Sequence, residues 1–506
     1  MSPSSSATPP SSSPSAATGI RQRPFRTRAR RRRGLPRLSA PENMLFTADV
    51  TLPALLQGDY GPRPAVVAAA ARIGAGRRAV HRIARIRRDH GPGPVWLRHL
   101  GEPALLVVSR EDVRRVLEDP AREFAADPAR KKRGMAVFQP NGLAISRGAD
   151  RISRRHFTDA VLGAGLAECG PRFLAVCREE IAGLVEEITV AALSGSARGG
   201  RSSHRPPRTL DWPAFHRTFE RIARRVVLGD GARGDAELSL LLGELMRDAN
   251  RAPRRRPAPA QARLDQFMAH VLGHVAAAEP GSLAGLFEQA PQDAATCPVG
   301  QLPQWLSGIQ DALAINVYRA LALIAAHPEQ RRHLHKELDG RDASTPEAVA
   351  ALPRLTACLQ EAMRLWPTTP MISRISLVET EWNGAAVPPH TKILIYPAFH
   401  HRDRRYHDFA DRFAPDVWMP GGVAVGDWSF NPFGHGPMAC PGRALSLVLG
   451  TAALAELLTA CRVRPLAGGL DPARPMPYQL NPFALRLGLL PGIGGQRPGE
   501  LSTHAT

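Results

Sequence analysis

The spacing of apolar and polar positions reads as helix over most of this chain. Residues 64–88 carry apolar positions at helical spacing opposite a basic face. Helical patterns recur at 110–118, 151–162, 170–193, 211–228, 302–326 and 352–366. Their ends carry the residues that start and stop helices. Ser109 with Asp112 resembles a capping box, and Pro120 closes that helix. Pro303 enters the 302–326 run, which stops before Pro328, while Pro353 and Pro367 bracket the 352–366 run. Strand-like runs lie at 94–99 and 104–108, at 374–382 and 390–396 joined through the turn signal Asn383-Gly384, and at 478–490 as a terminal hairpin. No long strand–helix alternation is present, so the expected fold is mainly α with small β-sheets. Residues 121–147 lack a period and form a loop long enough to be a lid or binding loop. Residues 400–432 also lack one and read as a meander ordered by packing. The breaks at 195–208 and 250–263 are surface loops, because helical patterns resume directly after them.

Composition sets the organisation. Hydrophobic residues at 43% and charged residues at 22% are ordinary for a globular chain. Residues 1–43 are Ser/Pro/Ala-rich and then Arg-rich, which predicts a disordered tail. Residues 44–495 read as one domain and 496–506 as a flexible C-terminal tail. The net charge of +20 is partly local, since nine arginines fall within residues 21–37. That run is the one candidate nucleic-acid element, and its bland alternative is a solvated tail. It lacks an apolar stretch, so it does not read as a secretory signal. No eighteen consecutive residues are apolar, so no transmembrane anchor is expected. The six cysteines form no CxxC pair and are too sparse for a disulfide framework, which predicts a reducing, cytoplasmic setting.

The candidate chemistry centres on Phe430 to Arg443, where three glycines and three prolines surround Cys440. Such density means a prescribed turn. The apolar run 444–458 then reads as a buried helix, which places Cys440 just before a helix N-terminus. That position favours a thiolate. Three chemistries are open to it. A cysteine nucleophile would need a base, for which His435 is the nearby choice. A zinc site would need three more ligands, and His400 with His401 is a poorly spaced pair. A lone thiolate in a glycine-lined loop also suits an axial haem ligand. Asp311 sits among mostly apolar neighbours in the 302–326 run, as a paired structural acid or a site residue. Glu361 and Arg364 stand three apart on one helix face, where they can touch.

Taken together, these segments resemble the cytochrome P450 superfamily. Phe433-x-x-Gly436-x-x-x-Cys440-x-Gly442 is similar to its haem-binding loop, and Glu361-x-x-Arg364 to its helix pair. The 302–326 helix with His327-Pro328 resembles its distal helix. His401-Arg402-Asp403 and Phe413 to Trp418 resemble its meander. The resemblance implies haem b (iron protoporphyrin IX) held between a long distal helix and a proximal Cys loop and helix. Cys440 would be the iron ligand, with Phe433 over the proximal face and Gly436 and Gly442 allowing close backbone approach. Arg155 and Arg374 would pair with the propionates, and Asp311 and Ala312 would face bound dioxygen. The pocket would be lined by 125–146, 308–313, 368–372 and 482–484.

Several positions depart from the family pattern. Ala312 stands where a Thr usually follows the acid, which puts the usual proton delivery in question. Arg151 replaces an aromatic residue, Met438 a basic one, and Val417 an Arg that usually joins the Glu–Arg pair. The leading reading is a soluble monooxygenase. It would oxidise a mostly apolar small molecule with O2 and electrons from a ferredoxin- or flavodoxin-type donor; nucleic acid is not the expected partner. The alternatives are a peroxide-driven or non-monooxygenase haem-thiolate enzyme, and a catalytically degenerate haem- or ligand-binding protein.

Overall fold

The most apolar helices meet at the centre of the molecule. The computed structural model describes residues 34–198, 208–252, 255–278, 280–341, 343–467 and 470–491. The central helix runs in three joined pieces: Leu302–Ser307, a wide π-helical turn Gly308–Leu313, and Ala314–Ala326. The helix Arg443–Ala460 that follows the Cys loop packs on it and on the helix Pro353–Leu365. Gly450 lets the three meet: a Cβ there would lie 2.6 Å from Leu359 Cδ2 and 2.9 Å from Leu313 Cδ1. Any larger residue at 450 would push these helices apart.

Among the described residues, ten short strands flank this helical core. β1 (Val95–His99), β2 (Glu102–Val107), β3 (Phe124–Ala125), β5 (Ile372–Ser376) and β8 (Lys392–Ile395) make a sheet ordered β1-β2-β8-β5-β3. β4 (Thr209–Asp211), β9 (Cys461–Ala467) and β10 (Arg486–Pro491) make a second, and β6 (Thr380–Trp382) with β7 (Ala385–Val387) a third. The fold is therefore mainly helical with small sheets.

Several boundaries differ from the sequence expectation, each for a local reason. The 64–88 run is two helices, Pro64–Arg72 and Ala75–His90, because Gly74 takes a left-handed φ of +67° between them. The runs at 151–162 and 170–193 are one helix, Gly148–Arg198, which passes through Pro171. The 121–147 loop contains β3, the helix Ala129–Met135 and a 3-10 turn Leu143–Ile145. Asn383-Gly384 does turn a hairpin, but between β6 and β7, while β5 pairs with β8 in another sheet. The expected hairpin at 478–490 is a single strand, β10, paired with the distant β9 and β4.

The expected tail boundary at 43/44 falls inside the folded part. Leu38 is buried, Arg37 bridges to Trp96, and Ser39 and Glu42 form a reciprocal capping box on the helix Ala40–Phe46. Most of the arginine run, and the boundary expected at 495/496, lie outside the described residues. Among the described residues, three helices are long and apolar enough to cross a membrane by length and composition: Gly148–Leu193, Pro298–Ala326 and Arg443–Ala460. A count of consecutive apolar residues misses them because single polar residues interrupt each run. Protein covers 78% of the apolar window of the second.

Candidate functional site

The Cys loop is folded by its own backbone. Cys440 N donates to Phe433 O at 2.8 Å, Gly434 N to Asn431 O at 3.0 Å, and Ala439 N to Gly436 O at 3.0 Å. Gly434 and Gly436 both have left-handed φ, +69° and +65°. At Gly436 a Cβ would stand 2.1 Å from the carbonyl oxygen of Leu117, so the neighbouring backbone of the helix Arg110–Glu118 requires glycine. Gly442 has an ordinary φ of −82° and its Cβ would meet only loose contacts, including Cys440 Sγ at 3.9 Å. Cys440 itself is exposed. Surrounding protein nonetheless desolvates its thiol enough to raise the pKa, against the lowering effects of the Gly442 backbone and Arg155. The helix N-terminus alone therefore does not make it a thiolate, contrary to the sequence expectation. A bound cation would be needed to hold the negative form.

Behind the loop lies a fully buried lock. Arg364 and Glu361, both 0% exposed, form a two-pronged pair at 2.7 and 2.6 Å. Arg364 also donates to the carbonyls of His401, Ala410 and Arg412. Glu361 accepts from the Ala414 backbone at 2.9 Å and the Trp418 indole at 2.8 Å. The third member of this network is thus Trp418, one residue after Val417. Arg402 is committed to Asp411, and Arg412 contributes only its carbonyl. His401 is desolvated to a pKa of about 4 and is neutral. Its Nδ1 donates to Arg364 O at 3.1 Å, and its Nε2 accepts from Asn431 N at 3.0 Å. That ring ties the lock directly to the start of the Cys loop.

The arginines are arranged differently from the sequence expectation. Arg155 binds Asp159 at 2.6 Å and the Cys-loop carbonyls of Ala439 at 2.8 Å and Pro437 at 3.3 Å. Its guanidinium braces the loop. Arg374 is buried, its Nη1 reaches only the carbonyl of Ser373, and its Nε has no partner. Burial, with Arg151 beside it, lowers its pKa to about 10. Lys131 is lowered to about 7 by burial and by the charges of Arg374 and Arg151. The nearest acid, Asp127, is engaged by Arg147 at 2.6 Å. Three desolvated cations facing one another call for an anion. A pair of propionates satisfies that demand, so the residues present fit haem. Lys131 and Arg151 were not identified from sequence. Lys131 falls in a segment with no periodicity, and Arg151 stands out in the sequence only as a departure from the family pattern.

On the opposite side, the central helix shows one open face in an otherwise buried rod. Gln304, Gly308, Asp311, Ile315 and Arg319 are partly open on this face and Ala312 is exposed. Their spacing of three and four residues puts them along one stripe. A Cβ at Gly308 would meet nothing within 4 Å. The π turn is supported by the Asn316 side chain, whose Nδ2 donates to Ala312 O at 2.9 Å. Such turns recur at functional sites. Asp311 lies at the edge of the stripe, where its Oδ1 meets His216 Nε2 at 3.0 Å. Gln301 stitches residues 141–143 to this helix, through Asn141 O and Leu143 N.

The other two readings of Cys440 lack support in this geometry. His435 Nε2 is bound to Phe430 O at 2.7 Å and its ring lies against Trp428. His400 and His401 are both committed to backbone carbonyls. Among the described residues no three His, Cys, Asp or Glu side chains are placed to hold a metal ion.

Comparison with known proteins agrees. The cytochrome P450 family model matches residues 306–480. Cyclooctat-9-en-7-ol 5-monooxygenase of Streptomyces melanosporofaciens is 26% identical over 400 residues, covering 72% of this chain and 81% of its own. Cyclooctatin synthase of the same organism is 32% identical, but the match covers only 34% of this chain and 38% of its own length. Pentalenene oxygenase of Streptomyces avermitilis is 31% identical over 28% of this chain and 32% of its own. Among solved structures, a cytochrome P450 (CYP102L1) aligns with TM-score 0.66 and 18% identity over 91% of this chain and 99% of that one. The retinoic acid-bound cyanobacterial CYP120A1 gives 0.65 and 18% over 81% and 93%. Fold, ordered motifs and relatives lead to one conclusion: the chain belongs to the cytochrome P450 superfamily, whose cofactor is haem b.

Proposed function

We propose that this protein is a haem-thiolate monooxygenase acting on a mostly hydrocarbon alkene or alkenol. The observation that carries the reading is the desolvated trio of Lys131, Arg151 and buried Arg374, with no acid of its own, in a fold that also presents Cys440 on a braced loop. In this reading Cys440 ligates the iron, and Arg374, Arg151 and Lys131 hold the propionates. When bound, the haem supplies dioxygen activation, with the thiolate favouring O–O cleavage. The protein's own part is positional. Arg155 and the Glu361–Arg364 lock hold the loop, Phe433 backs it, and the stripe from Gly308 to Ile315 leaves room for substrate.

The substrate class follows the relatives, which are named for cyclooctat-9-en-7-ol and pentalenene. The apolar character of the stripe at Gly308, Ala312 and Ile315 supports it. The electron donor is a ferredoxin- or flavodoxin-type protein, and the chain works in soluble form as a single domain.

A second reading has its own observation. Residue 312 carries no hydroxyl to order a proton-donating water, which favours peroxide as oxidant. The two separate in one experiment with pentalenene as probe. Oxidised product labelled from 18O2 in the presence of a ferredoxin, its reductase and NADPH supports the monooxygenase. Product formed only with added hydrogen peroxide supports the second reading and overturns the first.

A further inference from the structure

Asp311 belongs to a chain of titratable groups that leads away from the open stripe. Its Oδ1 lies 3.0 Å from His216 Nε2, on the helix Trp212–Leu228, and Gln310 Nε2 donates to its Oδ2 at 3.2 Å. His216 Nδ1 lies 3.4 Å from Glu220 Oε1, one turn further along that helix. All three groups are partly open. The imidazole is packed against the Trp212 ring at 5.1 Å, which fixes its plane. The charged groups acting on it are Asp311 from the central helix and Glu220 and Arg217 from its own. Burial lowers its pKa, but the two carboxylates outweigh burial and Arg217, so it holds a proton more tightly than a free imidazole.

We infer that His216 is the proton donor that recharges Asp311, so that Asp311, His216 and Glu220 form the relay serving the distal face in place of a hydroxyl at residue 312. The inference rests on the monooxygenase reading. The step is a proton transfer without electron flow. Asp311 gives its proton to a water at the Ala312 face, His216 Nε2 returns one to Asp311 Oδ1, and the ring is reprotonated at Nδ1 through Glu220 and solvent. An Arg or Lys at 216 could pair with Asp311 but could not give up its proton near neutral pH. Histidine can do both.

The test compares haem-loaded wild type with His216→Gln, His216→Arg and Asp311→Asn, using a photoreduced flavin as electron source so that no natural partner is required. By NMR of 15N-histidine-labelled protein, His216 should titrate above the free-imidazole value in wild type and lower in Asp311→Asn. Oxygen uptake per haem at pH 7 should fall about tenfold or more in both His216 variants, with a larger solvent deuterium isotope effect. Wild-type uptake in His216→Arg would reduce the contact to a structural ion pair and overturn the relay. So would a His216 titration unmoved by Asp311→Asn. Wild type lacking the carbon monoxide spectrum of a thiolate-ligated haem would instead remove the monooxygenase reading, and the relay with it.

Discussion

The Cys-loop side and the central-helix side of the site are built on opposite principles. On the Cys side, the lock leaves nothing unsettled. Glu361 and Arg364 are paired twice over, capped by Trp418, Ala414 and three carbonyls, and joined to the loop through a neutral His401. On the side of the central helix, a π turn, an exposed Ala312 and the open space around Gly308 leave a partly open stripe, contacted mainly at its edge through Asp311 and His216. The difference teaches where rigidity is needed. A buried ion pair is tolerable only when every hydrogen-bonding group is met, and then it fixes a single geometry. A face that must admit different molecules gives up packing for space.

Breaking the locked side should have the largest effect. Arg364→Met leaves Glu361 buried without its counter-charge, which costs about 3–5 kcal/mol. Thermal unfolding should show that loss, and the purified variant should carry little haem. A stable, haem-replete variant would mean that the lock is dispensable. Gly436→Ala comes next. Its left-handed backbone alone costs about 1–3 kcal/mol for a non-glycine residue, and the new methyl would also strike the Leu117 carbonyl. Full haem occupancy with unchanged unfolding temperature would contradict this.

Lys131 sharpens the comparison through pH. Its folded pKa of about 7 lies below the unfolded value of about 10.4. Between the two the unfolded chain holds more protons, so this group makes the haem-free protein more stable as pH rises across that window. The stability difference between wild type and Lys131→Met should therefore increase from pH 7 to pH 10 in the haem-free state. In the same variant haem should dissociate faster. A flat difference curve would mean that Lys131 is not held among unneutralised cations. The smallest change is on the open face. Ala312→Thr should raise the fraction of electrons recovered in product rather than peroxide, with stability nearly unchanged. No change, or a fall, would assign proton delivery wholly to Asp311 and its partners.

What the sequence disclosed follows the same division. The Cys loop and the Glu361–Arg364 pair were legible because their geometry is local, set by glycine, proline and helix spacing. The helical class and most helix positions were legible from periodicity. Long-range partners were not. β10 was read as half of a local hairpin because nothing at 478–490 points to β9 or β4. Arg155 and Arg151 share one helix face four residues apart, and only tertiary packing sends one to the Cys loop and the other to the Leu143 carbonyl, beside Arg374. His216 lies 95 residues from Asp311, and no spacing rule joins them. Trp418 stands beside the position where the family pattern has a basic residue, and its indole N–H fills the carboxylate's remaining acceptor site equally well.

Cys440 is proposed as the iron ligand although the protein around its thiol raises the pKa rather than lowering it. The most direct measurement is the absorption spectrum of the reduced, haem-loaded protein under carbon monoxide, for wild type and Cys440→Ala. Wild type should show the band of a thiolate-ligated haem, and the variant should lose it completely. The same band in Cys440→Ala, or a wild-type protein that takes up no haem when haem is supplied, would contradict it.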